Sequence, residues 1–423
     1  MPNVLETLRA RGLFEAATDE ALGRFLEQPT AVYAGFDPTS DALQVGNFVA
    51  IMGLAHFQRA GHRPVALVGG ATGLIGDPSG KSTERALLSP EQVERHLAGI
   101  RENLSRFLDF DDPRAPARIV NNYDWIGRFT YLEFLREVGK HFRVGAMLAR
   151  ECVRKRLESE SGLSYAEFSY QLIQAYDFLH LYDTQDVRVQ IGGSDQWGNI
   201  TAGIELIRRL RGGEAYGLTF PLVCDSHGQK FGKSEGNAIY LDARRTSYYD
   251  FYQFFIRTED ADVIRFLKIF TFLPLEEIAA LEEEMKRQPE ARIPQRRLAE
   301  EMTRMVHGTR GLRIAQEASR VLFGGEVEGV SADDLMAIFA HVPSKTLSSA
   351  EAIGATATEV AVRAGLGASK GEVRRLAQGG GFYWNGRRLT DPEQRVRADD
   401  FIEGRVAVLR AGRKQFTLLR LEG

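Results

Sequence analysis

The chain of 423 residues is 43% hydrophobic and 26% charged, with 54 Lys and Arg against 57 Asp and Glu for a net charge of −3. This is ordinary globular usage, which excludes disordered, collagen-like and disulfide-framework chains; at roughly 100–200 residues per domain the length allows about two to four domains. The near-neutral total hides an asymmetry: residues 351–423 hold 13 Lys and Arg against 9 Asp and Glu, a local +4, leaving the preceding 350 residues at −7. A basic tailpiece on an acidic body points to nucleic acid or another anionic surface, although a modestly charged, solvated domain has the same count.

The N-terminal stretch carries charges every few residues and no apolar signal core. No later run approaches the ~20 apolar residues of a membrane span, so a cytoplasmic, reducing location is expected, with no membrane partner. Thr30–Phe36, Pro64–Val68, Arg118–Val120 and Val187–Ile191 read as buried strands, with helical spacing over Asn47–Ala60 and Pro90–Leu108 between them. Such alternation predicts an α/β fold with a parallel, helix-covered sheet. Tyr165–Leu181 predicts a further helix, with Phe168, Leu172, Ala175 and Leu179 on one face. From about Tyr248 to Phe323 the strand signal disappears and helices are expected over Asp262–Phe270, Leu275–Met285 and Ala299–Val306. Residues 324–355 are richer in Gly, Ser and Ala and read as containing a linker. The last unit reads as a helix over Lys370–Gln378, then Gly379–Gly381, then strands over Phe382–Trp384, Arg405–Arg410 and Phe416–Arg420.

Four polar runs carry chemistry. In Tyr33–Val49 a strand ends near Phe36, a polar loop follows, and a helix starts near Gly46, which suits phosphate at the helix start and a flat base against the glycine backbone. The second run, Gly69–Ser82, is not a phosphate loop, because Ile75 stands where the first glycine of that motif belongs. What remains is a glycine-rich loop carrying Asp77, Lys81 and Arg85. In the third, Gln190–Asn199, two glycines precede Asp195 and Gln196, side chains suited to ribose hydroxyls or a carboxylate. The fourth, Lys230-Phe-Gly-Lys-Ser234, puts two lysines three apart in a glycine-bounded loop that could close over a polyphosphate. Two cysteines, Cys152 and Cys224, and scattered histidines give no zinc pattern.

In this order the four runs resemble the bacterial tyrosyl-tRNA synthetases, a family of class I aminoacyl-tRNA synthetases, along essentially the whole chain. Pro38–Asn47 occupies the place of the His-Ile-Gly-His signature and Lys230–Ser234 that of Lys-Met-Ser-Lys-Ser. The runs Gly69–Asp77, Asn121–Ile126, Glu167–Tyr170, Gln174–Asp177 and Gly192–Thr201 are similar to that family specifically, and the last unit resembles an S4-type RNA-binding domain. The resemblance implies a Rossmann-like catalytic domain over 1–225, a signature-loop connection over 226–247 and an anticodon-side helical domain over 248–323. A linker over 324–355 and an S4-type domain over 356–423 follow.

The implied reaction joins L-tyrosine to ATP, giving tyrosyl-adenylate and pyrophosphate, then passes the tyrosyl group to the 3′ end of tRNA(Tyr). By the same resemblance Tyr33 and Asp177 meet the substrate phenol, and Asp77, Tyr170 and Gln174 hold its amino group. Asp195 and Gln196 take the ribose side or the tyrosine carboxylate. Gly35, Asp37, Gly46, Asn47, Gly193, Lys233 and Ser234 complete the ATP site. Thr39, Gln44, Lys81, Arg85, Lys230 and Lys233 are the implied stabilisers of charge on the leaving pyrophosphate. Magnesium is expected with the nucleotide phosphates, with no dedicated metal site and no tightly bound cofactor. The spacing of Tyr170, Gln174 and Asp177 places all three on one helical face. Lys370, Arg374, Arg375, Arg387, Arg388, Arg410, Arg413 and Lys414 are the expected tRNA contacts, and a homodimer through helices around 130–160 is implied. Gln44 and Asn47 depart from the family pattern, standing where histidines are common. A nucleotidylyltransferase, or an RNA-binding paralogue with reduced activity, is the alternative to charging.

Overall fold

A computed structural model describes residues 3–79, 89–158, 162–234, 237–323, 325, 327, 329–340, 342–412 and 415–422. For residues 90, 151, 152, 233, 234 and 237 it describes the backbone alone. The chain divides into two compact units, Met1–Arg245 with Arg257–Leu298, and Thr246–Ile256 with Ala299–Gly423.

The first unit is built on a six-stranded sheet of β1 (Ala16–Ala17), β2 (Ala31–Phe36), β3 (Arg63–Val68), β4 (Arg118–Asn121), β5 (Val187–Gly193) and β6 (Tyr216–Phe220). The spatial order is β1-β6-β5-β2-β3-β4, parallel throughout except for β1, which pairs antiparallel with β6. This is the expected Rossmann-like parallel sheet. Helices cover it, so central strands are apolar on both faces: Ala31, Val32, Tyr33, Ala34 and Phe36 of β2 are all buried. Connections leave β2 towards β3 on one side and return to β5 on the other, so the carboxyl ends of β2 and β5 flank the point where strand order reverses.

The helix Tyr165–Gln185 packs over this crevice. Its start is fixed by a capping box in which Ser164 accepts from the Glu167 amide, and it stops at Asp186, held in the left-handed region at φ 52°. It packs against the helix Trp197–Arg211 so closely that a Cβ on Gly203 would lie 2.9 Å from the Phe178 side chain. Phe178, Leu179, Ala202 and Leu206 from the pair join Tyr33, Val65 and Leu67 of the sheet in one core cluster. A buried ion pair ties the helix start to the preceding helix Glu151–Leu157: Arg156 Nη2 lies 3.0 and 2.7 Å from the Glu167 oxygens, and both side chains are at most 3% exposed.

In the second unit, helical sequence over Tyr248–Ile256, Ala299–Leu322 and Ala332–Ile338 accompanies a five-stranded sheet. The sheet order is Arg387–Arg388, Phe382–Trp384, Val406–Ala411, Gln415–Glu422, Ser344–Ser348. All pairings are antiparallel except the last, where Ser344–Ser348 runs parallel to Gln415–Glu422. Val406, Val408 and Leu418 from this sheet pack with Ile314, Ala318 and Leu335 from the helices. Among the described residues no helix is long and apolar enough to cross a membrane.

Breaking a buried ion pair from one side leaves an uncompensated charge in a low-dielectric site. Glu167→Ala is therefore expected to destabilise the protein by about 3–5 kcal/mol, measured by urea unfolding. Glu167→Gln, which keeps an acceptor for Arg156, should lose less.

Candidate active site

A cavity of about 380 Å³ opens at the carboxyl ends of β2 and β5, entirely within the first unit. Its lining gathers Tyr33, Gly35, Asp37, Thr39, Gly46, Asn47, Asp77, Tyr170, Gln174, Asp177, Gly193, Asp195, Gln196 and Lys230 from all four sequence runs and the helix Tyr165–Gln185. Gln44 is not on that lining; it caps the turn Val45–Asn47, whose Gly46 and Asn47 are on it. Lys81 and Arg85 lie outside the described residues, as do the side chains of Lys233 and Ser234.

At the deep end Asp177 is 1% exposed. Its two oxygens accept separately from the Trp125 indole, 2.8 Å, and from Asn122 Nδ2, 3.0 Å. Burial raises this carboxyl to about 7 despite both donors, with the charge on Asp37 pushing the same way. The Tyr33 hydroxyl is equally buried and has no hydrogen-bond partner among the described residues, and Gln190 Oε1, on the neighbouring strand position of β5, has none there either. Burial and the nearby Asp177 charge push the Tyr33 phenol well above its ordinary range. An orphan hydroxyl beside a carboxylate with spare lone pairs is a site that a hydroxyl-bearing ligand completes.

A hydrogen-bonded chain runs from Asp177 along the cavity wall. Asn122 Nδ2 also reaches Thr72 Oγ1, 3.2 Å; Thr72 donates to Asp37 Oδ1, 2.8 Å; and the Tyr170 hydroxyl donates to Asp37 Oδ2, 3.0 Å. Across the cavity Asp77 accepts from the Ser79 amide and from Gln196 Nε2, at 2.9 and 2.8 Å, and Gln196 Oε1 accepts from Gln174 and Asn199. Asp195 is raised above the usual carboxylate range by burial and by Asp77, with Lys230 opposing. Asp37, Asp77, Asp177 and Asp195 thus face one cavity. Their field suits an ammonium group and disfavours a polyphosphate unless basic side chains are brought to it.

The shallow end is shaped by backbone. Gln44 N donates to Asn47 Oδ1, 3.0 Å, which fixes the Asn47 amide on the cavity lining with its oxygen engaged. Val45 N donates to Ile239 O and Leu241 N to Leu43 O, each 2.8 Å, so the turn around Gly46 is stitched to the chain leaving the Lys230–Ser234 loop. Gly232 has φ +100°, and a Cβ there would stand 2.7 Å from Gly46 N. Gly46 itself is exposed, and among the described residues a Cβ there would meet Phe231 O at 3.6 Å. Phe231 stacks on Phe270 at 4.5 Å, which anchors the loop beside Lys230.

Sequence reasoning left Thr72, Asn122, Trp125 and Gln190 without roles, although the run Asn121–Ile126 had already stood out as similar to the family. In the second unit Lys370, Arg374, Arg375, Arg387 and Arg388 are exposed. Lys370 pairs with Glu359 at 2.8 Å and Arg374 with Glu393 at 2.6 Å. Arg410 lies 3.8 Å over the Tyr383 ring, and Arg413 and Lys414 lie outside the described residues.

Residues 26–324 match the family model for "tRNA synthetases class I (W and Y)" and residues 334–419 that for "Tyrosine--tRNA ligase SYY-like C-terminal domain". The chain is 49% identical to the tyrosine–tRNA ligase of Opitutus terrae over 422 residues and 51% identical to that of Geobacillus kaustophilus over 421, covering 99% of both chains in each case. It also superposes on the crystal structure of a C-terminally truncated Aspergillus nidulans mitochondrial tyrosyl-tRNA synthetase, with a TM-score of 0.67 and 32% identity over 76% of this chain and 95% of that one. With half its residues shared with such relatives from end to end, the chain belongs to the class I tRNA synthetases, as one of the tyrosine–tRNA ligases.

Proposed function

We propose that the cavity binds L-tyrosine with its phenol between Tyr33 and Asp177 and its ammonium against Asp77, Tyr170 and Gln174. The observation that carries this is the buried Tyr33 hydroxyl without a partner beside the raised Asp177 carboxyl. The phenol would donate to Asp177 and accept from Tyr33. Phenylalanine would leave the Tyr33 hydroxyl buried and unsatisfied, at about 1–3 kcal/mol, and would give Asp177 no third donor.

ATP occupies the shallow end, its adenine on the exposed backbone of Gly46, its ribose near Asp195 and Asn47, with Gly35 and Gly193 allowing close approach and Asp37 at the edge of the nucleotide site. The tyrosine carboxylate, already ionised, attacks the α-phosphorus, a C–O–P bond forms and pyrophosphate leaves, so no general base is required. Alignment and neutralisation of the leaving group supply the rate. Thr39, Lys81, Arg85, Lys230, Lys233 and Ser234 take that part, with Gln44 as a neutral donor at the edge. The acidity of the cavity supports this division, because four carboxylates need opposing cations before a triphosphate can settle. ATP arrives as its magnesium complex, the ion held by phosphate oxygens. A terminal tRNA hydroxyl then attacks the acyl carbon and AMP leaves.

The basic side chains of the second unit position tRNA(Tyr) through phosphates, and the chain works in the cytoplasm with the translation apparatus. Exposed Tyr131, Leu132, Val144, Leu148 and Leu157 support a homodimer through helices around residues 130–160.

Tyrosine-dependent ATP–pyrophosphate exchange, followed by tyrosylation of tRNA, tests the whole reading. Since Asp177 accepts the phenol's hydrogen bond more strongly as a carboxylate than as a neutral carboxyl, and burial raises that carboxyl to about 7, KM for tyrosine should rise as the pH falls through that value, by at most about tenfold per unit. The step should vanish in Asp177→Asn, and a flat profile between pH 6 and pH 8 in the unaltered protein would refute the pairing. Deleting residues 351–423 would strip Val406, Val408 and Leu418 from their helical partners, so charge reversal is the cleaner test of the tail. Arg375→Glu with Arg388→Glu should raise KM for tRNA about tenfold while exchange stays unchanged. Gln44→His should leave exchange intact or faster; a large loss would mean the turn has been rebuilt around the amide.

A further inference from the structure

The helix Pro90–Leu104 uses one face to hold the loop that leads from β2 to the Gly46 turn. His96, Gly99 and Asn103 fall three and four residues apart, the spacing of a single helical face. Each meets the backbone of residues 38–43. His96 Nδ1 lies 2.7 Å from Pro38 O, and since a carbonyl only accepts, Nδ1 carries the hydrogen. Gly99 is pressed against the next part of the loop: a Cβ there would stand 1.8 Å from Asp41 O. Asn103, fully buried, accepts from Leu43 N through Oδ1 at 2.8 Å.

Between the first and second of these contacts stands Thr39, exposed and on the cavity lining, while Pro38 beside it is buried. The loop has one turn-like bond of its own there, Thr39 N to Asp37 O at 2.8 Å, and no strand or helix to fix it. Its path over the cavity edge is therefore set from outside, by the helix together with Arg245, which pairs with Asp41 at 2.5 Å, and Gly73, which packs against the Pro38 ring. We infer that the His96–Gly99–Asn103 face is the positioning device of the nucleotide loop, with His96 a positioning residue that fixes Thr39 towards the phosphates. The same helix follows residues 80–88 in sequence, so one element succeeds the Lys81 and Arg85 segment and holds the Thr39 segment.

The inference rests on the reading of Thr39 as a phosphate contact, and the experiment separates the two. In the full-length protein His96→Leu removes the donor, and exchange kcat should fall about tenfold with KM for tyrosine and the thermal midpoint unchanged. His96→Asn, whose amide can donate from nearly the same place, should recover most of the rate. Gly99→Ala displaces Asp41 with His96 intact and should lower kcat in the same way. Wild-type exchange in both His96→Leu and Gly99→Ala, with Thr39→Ala impaired, overturns the positioning role and leaves Thr39 in place. Wild-type exchange in Thr39→Ala overturns the reading of Thr39 itself. A lowered thermal midpoint in His96→Leu without recovery in His96→Asn assigns His96 to stability and also overturns the inference.

Discussion

A carboxylate removed from water is costly unless donors hold it, and Asp177 is held by two that come from elsewhere in the chain. That arrangement depends on strand order. Asp37, Thr72 and Asn122 follow the carboxyl ends of β2, β3 and β4, which lie side by side, so their side chains link in the same sequence across the sheet edge. The helix Tyr165–Gln185 then closes the row at both ends, with Asp177 at one and Tyr170 at the other. A change of register in β2, β3 or β4 would break the chain of hydrogen bonds at the residue that follows that strand. The sheet thus does more than support the pocket: its pairing sets the distance between Asp177 and Tyr170.

The two halves of the cavity are built by different means. The deep half uses buried side chains, whose polar groups answer one another with little freedom. The shallow half uses main chain: the bonds between residues 43–45 and 239–241, and the meeting of Gly46 with Gly232. Rigid recognition of a small amino acid and accommodation of a larger, highly charged nucleotide place opposite demands on a site. Separate construction lets one half be stiff while the other is fastened by a few bonds to a basic loop.

The core strands were legible because both faces of a parallel sheet are covered, which writes continuous apolar runs such as Ala31–Phe36 into the sequence. Ser344–Ser348 was not, since it joins its sheet through backbone pairing with three of its five side chains exposed. In the site, residues within distinctive runs could be named, and the helical spacing of Tyr170, Gln174 and Asp177 was visible. The raised Asp177 carboxyl was invisible, because it arises from burial that no local pattern encodes. His96 shows the limit most clearly. Its partner is the carbonyl of a residue 58 positions away, and a side chain that reads backbone leaves no complementary residue type to recognise.

The division into units has a consequence for how the chain can fold. Residues 246–256 leave the first unit for the second, residues 257–298 return, and the chain leaves again at Ala299. The backbone therefore passes between units at three places. On a ribosome, the first unit stays short of its last helices until residue 298 has emerged, and the second waits for strands more than 150 residues beyond its first helix. Neither unit is a bead on a string; a single proteolytic cut or a simple gene truncation cannot release one of them whole, and shuffling either as a module would require rerouting the chain.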